Sequence, residues 1–339
     1  MERIYFWDNL KFFAILCIVL LHSTMPYSKD GVLLFKYIRP FINLYPMTLF
    51  ALISGYWYKD RTFKELLLLY LWPCLLFSII NNVLGFNSFF PHYVEDFSFK
   101  PGYAMWYLMA LFLYSILTKW MRKGVSTTTY LIVVLLFAFA IGFFPIPNRF
   151  FDIQRTSCLF PCFAFGVWIR QSVGSRLLEW KSKRGVRVLC SSLFTLCVIF
   201  NLVIVHFNLN VLDSFTAYYG LNLRLAFTKW IMILLRVLAC MCLILLFPNK
   251  SFWFTKFGSR TMNVYLLHAI PVFLICWGCL YNHRYEWYGV MSLAIGVPLL
   301  CTFLFSTGVN ELMRKVLCLD YLCKLKQSRT IDDGQGMPQ

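Results

Sequence analysis

Along this chain the polar positions are punctuation and the apolar ones are the text. Runs of about 20 apolar residues are long enough to cross the hydrocarbon core of a bilayer as a helix. Ten such runs can be drawn, at 10–26, 41–58, 65–85, 104–121, 128–145, 157–171, 187–206, 230–248, 261–281 and 288–308. They predict an all-α integral membrane protein of about ten transmembrane helices, and their even number puts both termini on one side. Residues 1–317 read as one membrane domain. Residues 318–339 read as a short cytoplasmic tail, polar and disordered toward its end.

Composition agrees: 60% of the 339 residues are hydrophobic and 14% are charged, against about 25% charged in soluble proteins. Positive residues accumulate in cytoplasmic loops. Lys and Arg number 21 in the segments sharing a side with the N-terminus and 9 in those opposite, so both termini are expected in the cytoplasm. The net charge of +17 is spread over these loops beside the spans, which suits anionic lipid headgroups and gives no reason to invoke nucleic acid. The most basic loop, Gln171 to Gly185, could also attract a phosphorylated cosubstrate. The first run could pass for a secretory signal, yet Asp8 and Lys11 cut into it and no small-residue cleavage site follows before Pro26, so it reads as a retained span. Thirteen cysteines sit mostly within apolar runs and read as small core hydrophobes, with no metal site expected; the Cys276/Cys279 spacing is accounted for by helix geometry.

The first run, DNLKFFAILCIVLLHS, holds the most informative exceptions. At about 100° per residue, Lys11 and His22 are only roughly 20° apart around a helix, and Asp8 lies one turn before Lys11. All three share a sector roughly 60° wide, with His22 about 16 Å beyond Lys11 along an unbroken helix. Such a stripe reads as one wall of a wet cavity entered from the cytoplasm. A buried Lys or Asp near a span's centre costs about 2.5–3.5 kcal/mol, so partners or water must compensate. The competing reading has Lys11 snorkelling to the headgroups, Asp8 pairing with it, and His22 at the opposite interface. Histidine's ability to take a proton near neutral pH favours a general base.

Other polar intrusions admit two readings each. Ser54 and Gly55 in LISGYW mark close helix packing or a cavity wall. Asn81 and Asn82 line a cavity or bond to neighbouring helices. Arg155 is a loop charge or an anion or sugar contact, and Arg236 should face the protein interior. Tyr265 and His268 share a face as a packed pair or part of a site. Trp7, Trp57, Trp72, Trp106 and Trp120 fit interfacial belts.

An acid, a base three positions later and a histidine eleven beyond that base resemble the opening signature of the membrane acyltransferase-3 family. LISGYW with the basic cluster Lys59, Arg61 and Lys64, MWYL at 105–108, FPCFAFG at 160–166 and VYLLH at 264–268 are similar to its later landmarks, in order, over roughly residues 3 to 310. Most of the family has arginine where this chain has Lys11; lysine there resembles the branch named for fucose 4-O-acetylases. It supplies charge without arginine's planar fork. The resemblance implies a multi-pass O-acetyltransferase of the bacterial cytoplasmic membrane. It would use acetyl-CoA or another acyl-CoA as cosubstrate, with no tightly bound cofactor, and acylate a glycan or lipid-linked sugar. His22 is then the catalytic residue. Lys11 and Arg61 would bind the acyl-CoA, Arg155 the acceptor, and Asp8, Ser54, Tyr265 and His268 would support them. The chain stops soon after the tenth run, so the membrane domain or a separate protein is expected to complete the transfer. A transporter of a lipid-linked sugar is the alternative, and acids near the spans are few.

Overall fold

A computed structural model of the protein describes residues 4–24, 37, 41–42, 44–83, 103–146, 152–207, 218–280, 287–307 and 310–317. No strand occurs among them. In chain order the helices are α1 (Tyr5–Thr24), α2 (Pro46–Tyr56), α3 (Phe63–Leu66), α4 (Trp72–Val83), α5 (Trp106–Met121), α6 (Thr127–Ile141), α7 (Ile153–Ser172), α8 (Leu177–Ser182), α9 (Arg184–His206), α10 (Leu223–Leu246), α11 (Thr255–Gly258), α12 (Thr261–Leu267), α13 (Ala269–Pro271), α14 (Trp287–Thr307) and α15 (Asn310–Val316). Helix covers part of each of the ten apolar runs. Among the described residues four helical stretches, Tyr5–Thr24, Phe63–Asn81 (α3 and α4 joined by a π-helical turn), Arg184–Ile204 and Leu223–Leu246, are long and apolar enough to cross a membrane. The expected tail, 318–339, lies outside the described residues.

The first helix begins five residues before the apolar run that announced it. Its opening turn is held by loop groups the hydropathy pattern does not register. The Phe6 N–H donates to Asn249 Oδ1 at 3.2 Å, capping one of the helix's orphan donors. Fully buried Asn9 donates to the carbonyls of Pro248 (3.2 Å) and Lys250 (3.0 Å) and accepts from Thr255 Oγ1 at 2.7 Å. Trp7, expected at an interface, is instead a core residue, 3% exposed and 4.4 Å from the Tyr56 ring centroid. Burial of about 150–250 Å² per aromatic side chain explains why the helix reaches back to include it.

The second helix is shorter than its run because Pro46 starts it; a proline at the first position has the helical φ and no N–H to waste. Its far end packs into α7 with backbone contact. A Cβ on Gly55 would lie 1.9 Å from the Phe163 carbonyl oxygen, and one on Gly166 would lie 2.1 Å from that of Leu52. The small-residue reading of LISGYW therefore holds for Gly55. Thr62 and Glu65 form a reciprocal capping box at the start of α3.

The ninth run, expected as one helix over 261–281, is helical over Thr261–Cys276 with local changes in its hydrogen-bond pattern. α12 ends at Leu267, a turn at His268 leads to α13, and a π-helical stretch follows over Val272–Leu280. Pro271 has no N–H for the Leu267 carbonyl, which is the physical reason for the local change. Ten described cysteines are buried free thiols, as expected of core residues. Cys276 is among them; the side chain of Cys279 lies outside the described residues, as does that of Asn82.

Candidate functional site

α1 is a continuous α-helix from Tyr5 to Thr24, so the unbroken geometry assumed for the polar stripe is the observed one. Lys11 Nζ lies 2.8 Å from Asp8 Oδ1, an i,i+3 pair whose carboxylate is the more buried partner. α11 presses on this turn so closely that a Cβ on Gly258 would stand 1.8 Å from the Asp8 carbonyl oxygen. The acid is thus fixed from both its backbone and its side chain.

Lys11 forms one wall of a cavity of about 160 Å³, with Ile18 next along the same helical face. The opposite walls come from α2 (Phe50, Ile53, Ser54), α5 (Tyr107, Leu108, Leu111) and α12 (Thr261, Tyr265). The throat is therefore mainly aliphatic, with one amine and a few hydroxyls. Ser54 Oγ and Tyr107 Oη lie 3.1 Å apart and share a hydrogen bond across it. The Tyr265 hydroxyl donates to the Ala104 carbonyl, which fixes that ring in the wall.

His22 does not line this cavity. It lies one turn past Ile18 on the same face, partly exposed, with its ring perpendicular to that of His268 at a centroid distance of 5.2 Å. His268 is fully buried. A run of ring contacts connects the two places: Tyr107 to Tyr265 at 6.2 Å, Tyr265 to His268 at 6.1 Å, then His268 to His22. Four elements distant in sequence thus meet around the stripe on α1.

The remaining candidates are elsewhere. Arg61 is not in the cavity wall; its carbonyl accepts from Lys119 Nζ at 3.0 Å. Arg155 pairs with Asp152 at 3.1 Å and lies 5.0 Å from the centroid of Trp106, the neighbour of Tyr107. Arg236 is buried, consistent with an arginine that faces the interior. In the basic loop, Lys181 donates to the carbonyls of Ile244, Leu245 (3.3 Å) and Phe247 (2.6 Å) at the end of α10 and lies 4.2 Å from the Phe6 ring centroid. Burial lowers its pKa from 10.5 to about 8. Lys183 pairs with Glu179 at 2.6 Å. Lys181 thus serves the fold, whereas Lys183 stands in a solvent-exposed pair.

Sequence reasoning passed over Tyr107, Thr261 and Asn9. Tyr107 had a signal, a lone hydroxyl inside MWYL; Asn9 had one too, an amide in a greasy run. Thr261 had none. Among the described residues no group of three or more His, Cys, Asp or Glu side chains is placed to hold a metal ion.

A family model described as an acyltransferase domain matches residues 4–307. No curated protein and no solved structure matches the chain.

Proposed function

Because the chain belongs to the family of that acyltransferase domain, we propose that it transfers an acetyl group from cytosolic acetyl-CoA to a sugar hydroxyl of a surface polysaccharide or of its lipid-linked precursor. The observation that carries this reading is the face of α1, where Lys11, an adjoining apolar cavity and His22 follow one another along a continuous helix. In this reading the ten runs all span the bacterial cytoplasmic membrane, both termini are cytosolic, and the basic loops draw the donor toward the Lys11 end.

The phosphates of acetyl-CoA meet Lys11, with Arg61 farther out, and Asp8 holds the amine in place. The apolar cavity receives the donor's thin arm, whose amides find the hydroxyls of Ser54 and Tyr107. The thioester then approaches His22. His22 takes the proton of the sugar hydroxyl as its oxygen attacks the carbonyl carbon; the new C–O bond forms, the C–S bond breaks, and the proton passes to the departing sulfur. General-base assistance of this kind is worth about 100- to 10,000-fold. Arg155, held over Trp106, is a candidate contact for the acceptor. The test is the acetyl-ester content of surface glycan in cells carrying the intact chain or His22→Ala at matched membrane levels. Loss of ester in the variant is expected, and undiminished ester would remove His22 from the base role.

A further inference from the structure

The base in that reading has a neighbour whose state is defined by its own contacts. His268 Nδ1 lies 2.7 Å from the Tyr265 carbonyl oxygen and 3.2 Å from that of Val264. Carbonyl oxygens only accept, so Nδ1 carries the proton, and the neutral ring then holds its lone pair on Nε2. The ring is fully buried and touches that of His22 at right angles. A centroid separation of 5.2 Å is short enough for the partly exposed His22 ring, by rotating about its own side-chain bonds, to bring a nitrogen within hydrogen-bond reach of the fixed His268 ring.

The backbone supplies a second observation. His268, between α12 and α13, keeps helical backbone angles (φ −61°, ψ −27°) and its N–H still bonds to the Val264 carbonyl, so Tyr265 and His268, three residues apart, lie on one helical face. One helical turn thus holds Tyr265 on the cavity wall and His268 against His22.

We propose that His268 is a positioning residue for His22. Its neutral ring, locked by the Tyr265 and Val264 carbonyls, accepts a hydrogen bond from one His22 nitrogen and so keeps the other unprotonated and aimed at the acceptor hydroxyl. The proposal rests on His22 being the base, and the experiment separates the two claims.

Membranes carrying the full chain with their own glycan are assayed for release of CoA from acetyl-CoA, comparing His22→Ala, His268→Leu and His268→Gln at matched protein levels. His268→Leu is expected to lower kcat about 100-fold, the cost of misaiming a reacting group by about 1 Å, with KM for acetyl-CoA essentially unchanged. His268→Gln, whose amide oxygen accepts where Nε2 did, is expected to recover much of that loss. Intact kcat in His268→Leu beside an inactive His22→Ala overturns the positioning role and leaves the base role standing. So does a glutamine variant as slow as the leucine one, since that reports lost packing. If His22→Ala stays active, the base role fails, and nitrogen NMR of ring-labelled histidine decides positioning. His22, assigned by its loss in His22→Ala, should show one neutral tautomer in the intact chain and a mixture in His268→Leu; identical spectra overturn the proposal.

Discussion

Lys11 combines a charge with an apolar surrounding, and the structure shows how the cost is met: Asp8 at 2.8 Å and a cavity into which the amine can turn. If that amine meets the donor's phosphates, Lys11→Ala removes one charge-assisted contact of about 1.5 kcal/mol, or about tenfold in KM for acetyl-CoA. Steady-state kinetics should show that rise with the dependence on acceptor unchanged. Lys181 makes a different prediction. Its folded pKa of about 8 lies below the ordinary 10.5, so between those values the unfolded chain binds more protons than the folded one. Stability therefore rises with pH across that window and is flat below it, as far as Lys181 is concerned. Thermal melts of the purified chain should show this rise, and Lys181→Met should flatten it while lowering the melting temperature at every pH, because three carbonyls at the end of α10 lose their donor. Asp8, Lys11 and His22 were legible in sequence because charge in an apolar run is conspicuous. Thr261 was not, and the signal at Tyr107 was weak, because a hydroxyl adds too little polarity to distinguish a cavity wall from a packed helix.

At the scale of elements, the contact of α2 with α7 sets the position of Ser54 and hence of one cavity wall. Gly55→Ala would drive a methyl group into the Phe163 carbonyl and should destabilise the chain by about 1–3 kcal/mol. Gly185→Ala, with nothing within 4 Å of the added methyl, is the control and should melt no earlier than the parent. Melting of both variants in the same detergent checks the prediction. Helix content was readable from apolar run length alone. The details that reading missed, the early start of α1 and the altered hydrogen bonding around His268, depend on a loop asparagine more than 200 residues away and on one proline whose effect a hydropathy window averages out.

For the whole molecule, the distribution of Lys and Arg predicts sidedness. A green fluorescent protein joined after Gln339 should fluoresce, and alkaline phosphatase at the same place should be inactive, since the first matures in the cytosol and the second outside it. The opposite pair of results would invert the membrane orientation and with it the side from which acetyl-CoA reaches Lys11. The family match over residues 4–307 makes the chain a membrane acyltransferase irrespective of that outcome.

By itself the sequence determined the class of the protein, the approximate helices and the shared face of Asp8, Lys11 and His22, because run length, charge and the 3.6-residue period are local properties. Only the tertiary structure decided what faces that stripe. The cavity between α1, α2, α5 and α12, the burial of Trp7 and Asn9, and the meeting of His22 with His268 all join residues far apart in the chain. Such contacts follow from how helices pack, which hydrophobic periodicity does not encode when nearly every face is apolar.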